Sequence, residues 1–189
     1  MSNFSEDLKR WEDRGFAPVD GSPLPMTLGW FQVIKLLWRH AAIGATLIYR
    51  ISNWCSRHGV RGFPVLLERL NLNLFGIEIG SSIPIGPGLY IPHPGGTVIM
   101  ASRIGANCTF IHSVTVGMRD TWDFPVIGDA VLVGAGARVL GKLTLGEGCQ
   151  VGANAVVLDD VPAHATAVGV PARVVRPRGR AAVFAAVRR

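Results

Sequence analysis

His93 is the side chain in this sequence best suited to moving a proton. It stands in the run IPHPGG, where Pro92 and Pro94 stiffen the backbone on either side and Gly95 and Gly96 leave room next to the ring. An imidazole titrates near neutral pH, so it can remove the proton of an attacking hydroxyl and return it to a leaving group. A second histidine, His112, follows nineteen residues later. The cysteines offer less. Cys55, Cys108 and Cys149 are an odd, widely spaced set without a C-x-x-C pair, which fits neither a disulfide framework nor a thiolate metal site. They point instead to a reducing, cytoplasmic setting.

The elements that hold these histidines follow from the repeats. After Gly76, apolar residues fall every six positions at Ile79, Ile85 and Ile91, then after a one-residue slip at Val98, Ile104, Phe110 and Val116. A second frame runs through Ile127, Val133, Val139, Leu145, Val151 and Val157, a pattern that chance would produce about one time in a thousand. A small or apolar residue falls four places after most of these, as at Ile83, Cys108, Val131, Ala137 and Cys149. Each hexad reads as one short strand and a corner, and three hexads close a triangular coil with the apolar residues inside. Cys108 and Cys149 are then interior packing rather than nucleophiles. His93 lies two residues past Ile91 and points outwards; allowing for the slip, nineteen residues make one full coil, so His93 and His112 are expected to stack on one face. An imidazole-bound metal needs three convergent rings and only these two share that face, so no metal is expected.

Residues 1–25 are first polar and then carry Gly15, Pro18, Gly21, Pro23 and Pro25, so an arm with little regular structure is expected. Helical spacing from Thr27 to about Ser56 predicts a helix; His58, Gly59 and Gly62 break it, and Pro64 opens a second helix that Gly76 ends. The chain therefore divides into an N-terminal arm and helices over 1–75, a coil domain over 76–175 and a basic tail over 176–189. Of the 189 residues, 49% are hydrophobic and 17% charged, which excludes a disordered chain. The net charge of +6 is accounted for by Arg173, Arg176, Arg178, Arg180, Arg188 and Arg189, all beyond the last acid, Asp160. The body is thus neutral, and nucleic-acid binding is not expected. The apolar stretch 26–54 is interrupted by Lys35, Arg39, His40 and Arg50 and does not span a membrane. Trp30, Trp38 and Trp54 lie beside basic residues, but packing on the protein's own trimer or body is favoured over contact with a membrane surface.

The hexads, together with AVGVPARVV over 167–175, resemble the left-handed β-helix of hexapeptide-repeat acyltransferases. Within that superfamily GIEIGSSIPIGPGLYIPHPGGTVI, IHSVTVG, VGAGARVLG and VGANAVVL are similar to the serine acetyltransferase branch, including its relatives in exopolysaccharide gene clusters. The likeness runs over roughly residues 64–175. It implies a mainly β fold, a left-handed parallel β-helix preceded by a small α-helical region. It also implies direct acetyl transfer from acetyl-CoA to a hydroxyl, with His93 as base. The branch carries an acid fifteen residues before its histidine, in a segment matched here by Gly76, Ile77, Glu78 and Ile79. The resemblance thus makes Glu78 the group that orients the imidazole, with Glu in place of Asp. It further implies a homotrimer whose neighbouring subunits hold the pantetheine arm along Gly117, Gly134, Ala135 and Ala153. Arg173 would lie near the nucleotide phosphates, and backbone N–H groups near Gly117 would serve as oxyanion donors. Small residues are equally what tight corners require.

Departures from the branch bear on the acceptor. Pro92 replaces an acid, and His112 stands where the branch has glutamine, which makes it a candidate to bind acceptor or share the proton work. The segment D-R-H-P-K-I, whose arginine and histidine hold the serine carboxylate in that branch, is replaced by Asp123, Phe124, Pro125, Val126 and Ile127 after a shorter loop from Met118. An acid there repels a carboxylate. Asp120, Trp122, Asp123 and Phe124 instead combine aromatic surface with hydroxyl-binding carboxylates and suit a sugar. A sugar or polysaccharide precursor is the predicted acceptor, with serine, as in cysteine biosynthesis, the alternative.

Overall fold

The computed structural model describes residues 2–12 and 41–175. From Ile77 onward the hexads lie down as strands of two to four residues on three faces of a coil. The first face stacks β1 (Ile77–Ile79), β2 (Thr97–Ile99), β5 (Thr115–Gly117), β8 (Arg138–Leu140) and β11 (Val156–Val157). The second holds β3 (Arg103–Ile104), β6 (Val126–Ile127) and β9 (Thr144–Leu145). The third holds β4 (Thr109–Phe110), β7 (Leu132–Val133), β10 (Gln150–Val151) and β12 (Thr166–Gly169), closed by the antiparallel β13 (Ala172–Val175). All other pairings are parallel, and their register follows the repeat: Val126 pairs with Thr144, Leu132 with Gln150 and Arg138 with Val156. This is a parallel β-helix, held between coils by backbone bonds such as Gly134 N–H to Val151 O at 2.8 Å.

The sixfold apolar frame fills the interior, with Phe110, Val116, Ile127, Val133, Val139 and Leu145 fully buried. Residues four places on, Cys108, Val131, Ala137 and Cys149 among them, complete each layer. Each large apolar side chain so enclosed contributes about 1.5–3 kcal/mol relative to exposure. One position of the frame is corrected. Ile99, not Val98, points inward, because the corner between Ile91 and Ile99 takes two residues more than a regular hexad. That wider corner carries His93.

Two helices precede the coil: α2 (Ala41–Arg57) and α3 (Phe63–Phe75). Pro64 occupies the first turn of α3, and Gly76 caps its end in the left-handed conformation at φ 66°. The expected helix over 27–40, the remainder of the arm and the tail from 176 lie outside the described residues.

The N-terminal arm requires correction, since Ser2–Glu12 is a helix, α1. Phe4, Leu8 and Trp11 recur at helical spacing and pack on the body together with Ala42, Ile43 and Tyr90. Charge pins the helix down. The buried Asp7 carboxylate accepts from Arg50 Nε at 2.8 Å, from Arg50 Nη2 at 2.9 Å and from Leu89 N–H at 2.7 Å. Arg50 also donates to the carbonyls of Ile85 and Gly86, and Arg10 to Gly88 O and Thr109 Oγ1. Burial raises the Asp7 carboxyl above its ordinary value, with Arg50 working in the opposite direction. Charged side chains from α1 and α2 thus hold the backbone of residues 85–89, just ahead of His93.

Candidate active site

On the third face Tyr90 bridges Thr109, Thr109 pairs with Leu132, and Leu132 pairs with Gln150. Three residues beyond each comes the edge between the third and first faces, and there His93, His112, Ala135 and Ala153 occupy equivalent corners of successive coils. Two exposed imidazoles therefore sit on one edge, with two alanines continuing the column away from them. The sequence places both histidines one coil apart, as the structure does.

The corner of His93 closes through Thr97 N–H to Pro94 O at 3.1 Å and Gly96 N–H to Gly76 O at 2.9 Å. A Cβ built on Gly95 meets nothing within 4 Å, so the space beside His93 is open. Ser113 links the two histidine corners, its hydroxyl lying 3.5 Å from both His112 Nε2 and Gly95 O. Arg138 braces the corner below by donating to the carbonyls of Ser113, Gly136 and Ala137. Glu78 is half-buried on β1, paired with Val98 on the first face two residues past Gly76. Gly76 lies against Gly95 and Gly96, so Glu78 and His93 flank the same corner, but no hydrogen bond joins them. Ser113 and Arg138 were not picked out by motif reading; Ser113 follows His112 directly, and Arg138 is the partner of Thr115 on the next coil.

Asp120, Trp122, Asp123 and Phe124 lie on a different edge, between the first and second faces, where the loop after β5 leaves the coil. Within one chain the structure does not bring them to the histidines. Trp122, Asp123 and Phe124 help to form a cleft of about 460 Å³ with Ser102, Lys142, Thr144 and Asp160. Trp122 is 79% exposed and meets Phe124 edge-on at 5.8 Å between ring centroids. Asp123 accepts from Thr121 Oγ1 at 2.9 Å and stands 3.9 Å from Lys142 Nζ, while Asp120 pairs with Arg119 outside the cleft. Lys142, Thr144 and Asp160 come from later coils, and the pairing of Val126 with Thr144 brings them beside the loop.

The small residues divide into two kinds. A Cβ on Gly134 would meet Ala153 N at 2.7 Å, so coil stacking itself demands glycine there. Gly117, at the far end of β5, meets nothing within 4 Å and its smallness serves no packing need. Ala135 is half-buried, Ala153 is exposed, and Arg173 is exposed on β13. Cys108 and Cys149 are interior, with thiols that burial pushes up to about 11 and about 12, so neither offers a thiolate at neutral pH. Among the described residues no group of three or more His, Cys, Asp or Glu side chains converges, and no helix is long and apolar enough to cross a membrane.

Residues 124–159 match the family described as Bacterial transferase hexapeptide (six repeats). A serine acetyltransferase of Helicobacter pylori strain J99 is 37% identical over 145 residues, 75% of this chain and 85% of that protein. A serine acetyltransferase of Synechococcus elongatus is 35% identical over 150 residues, 77% of this chain; the chain spans only 62% of that relative's length. Among solved structures, soybean serine acetyltransferase complexed with serine superposes with a TM-score of 0.79 at 34% identity, covering 92% of this chain and 68% of that one. A Brucella abortus serine acetyltransferase in complex with coenzyme A gives a TM-score of 0.77 at 25% identity, covering 94% and 68%.

Proposed function

The chain belongs to the serine acetyltransferase-like branch of the hexapeptide-repeat acyltransferases, with their left-handed β-helix, and from that premise we propose that it moves an acetyl group from acetyl-CoA to a hydroxyl acceptor. The observation that carries this reading is the column of His93 and His112 above Ala135 and Ala153 on one open edge. His93 takes the acceptor's hydroxyl proton as its oxygen attacks the thioester carbonyl. The tetrahedral intermediate then collapses, the C–S bond breaks, and the imidazolium returns the proton to the departing thiolate. No covalent acyl-enzyme is needed. Glu78, on the same corner, orients the ring, and backbone N–H groups near Gly117 stabilise the oxyanion. Those groups lie across the width of the first face from His93. A homotrimer that sets the histidine edge of one copy against the loop edge of the next reunites them, with the pantetheine arm between copies and Arg173 toward the phosphates. Acetyl-CoA as donor, with three unpaired cysteines, fits a cytoplasmic setting.

For the acceptor, the names of the relatives favour serine over the sugar expected from the sequence. A sugar is retained as a second reading on one observation, the exposed Trp122 beside Phe124 and Asp123 at the mouth of the cleft. Thiol release from acetyl-CoA, measured with L-serine and with a panel of sugars side by side, separates the two. Turnover with serine alone supports the first and removes the second; turnover with sugars alone does the reverse. Absence of both turnover and acetyl-CoA binding overturns the acetyltransferase reading.

A further inference from the structure

The helical hairpin carries a surface that the proposed chemistry does not use. α3 buries Pro64, Leu67 and Asn71, and at helical spacing on another side it leaves Phe63, Leu66, Leu70 and Leu74 in solvent. Leu66 is 60% exposed and Leu74 61%. Ile51, Trp54 and Val60, from α2 and the turn after it, are exposed as well, Trp54 at 55%. Apolar exposure on this scale marks an interaction surface rather than scattered surface residues.

The charges say what kind of surface it meets. Between Ile51 and Leu74 the cations are Arg57, Arg61 and Arg69, all exposed, and the sole acid is Glu68. Glu68 is turned to the coil, where its Oε1 accepts from Ser81 N–H. Beside them His58 stacks on Trp54, with ring centroids 4.3 Å apart. The hairpin therefore offers tryptophan, phenylalanine and leucine together with guanidinium groups and no free carboxylate. A second copy packed by two-fold symmetry on the same face would set arginines against arginines. An anionic bilayer supplies both missing partners, phosphate for the guanidinium groups and acyl chain for the apolar side chains. With α2 and α3 at 17 and 13 residues, this is a surface that lies on a membrane and does not cross it.

We propose that the α2–α3 hairpin docks the protein on an anionic lipid surface through Trp54, Phe63, Leu66 and Leu70, with Arg57 and Arg61 pairing to lipid phosphates. This stands apart from the acceptor question and holds for either reading of it.

The test is sedimentation of the full chain with vesicles of phosphatidylcholine mixed with phosphatidylglycerol, against vesicles of phosphatidylcholine alone. The full chain is expected to bind the mixed vesicles and to be released by salt. The variant carrying Arg57→Glu and Arg61→Glu should bind at least about tenfold more weakly. A second variant, Leu66→Asn with Leu70→Asn, should lose binding while keeping the melting temperature and thiol-release activity of the parent, since both side chains already face solvent. Equal binding to both vesicle types, or to neither, overturns the proposal. So does light scattering in which the Leu66→Asn, Leu70→Asn variant drops to a smaller assembly without any change in vesicle binding, because the face would then belong to a second copy.

Discussion

At the scale of single residues, position in the coil separates groups that can react from groups that cannot. His93 and Cys108 both carry groups capable of acid–base or nucleophilic chemistry, yet one is outside the coil and the other inside. Burial raises Cys108 to about 11 and Cys149 to about 12, both above the ordinary thiol value of 9.0. The folded state holds these protons more tightly than the unfolded state. The stabilisation is therefore complete below about pH 9 and is lost as pH climbs through 11 to 12. Urea unfolding followed from pH 9 to pH 11 should show that decline. Replacing both residues by alanine should make the decline shallower without removing it, since burial raises the Tyr49 and Tyr90 phenols as well, at about 1 kcal/mol each for lost packing. The outward or inward sense of His93, His112, Cys108 and Cys149 was legible from the hexads alone, because a sixfold frame determines which side chain faces the core. It showed one extra residue at the corner of His93 where the coil takes two, and the second shifts the buried position from Val98 to Ile99.

At the scale of elements, the coil was readable and the first helix was not. Repeats advertise themselves by period, whereas α1 is held by a long-range charge pair with Arg50 and by hydrogen bonds to the backbone of Gly88 and Leu89 that no local pattern encodes. Asp7 is buried and Arg50 nearly so. Asp7→Ala leaves that guanidinium without its carboxylate and should destabilise the protein by about 3 kcal/mol, read as a lowered melting temperature. The two glycines assigned to the cofactor groove give a sharper contrast. Gly134→Ala pushes a Cβ to within 2.7 Å of Ala153 N and should lose about 1–3 kcal/mol of stability. Gly117→Ala enters open space and should leave stability within about 0.5 kcal/mol of the parent, so a rise in KM for acetyl-CoA there would report on cofactor contact alone.

At the scale of the whole molecule, the sequence placed His93 and the Trp122 loop in one site, while a single chain holds them on two edges of the triangle. Neither the repeats nor the motifs carry that information, since the corner a residue occupies depends on the five extra residues between Val116 and Ile127 as well as on its hexad. The trimer proposed above brings the two edges together between copies, and on that proposal light scattering on the purified chain should return three times its 20.3 kDa mass. The comparison with serine acetyltransferases supports the donor chemistry more firmly than the acceptor, because the segment that holds the serine carboxylate in that branch is the one replaced by Asp123 and Phe124 here. The central claim is that His93 is the base on the open edge. It is tested most directly by His93→Asn, with acetyl-CoA affinity from calorimetry and turnover from thiol release measured on the same preparation. Unchanged affinity with turnover lowered by about 10²- to 10⁴-fold is the predicted result; turnover close to that of the parent would contradict it.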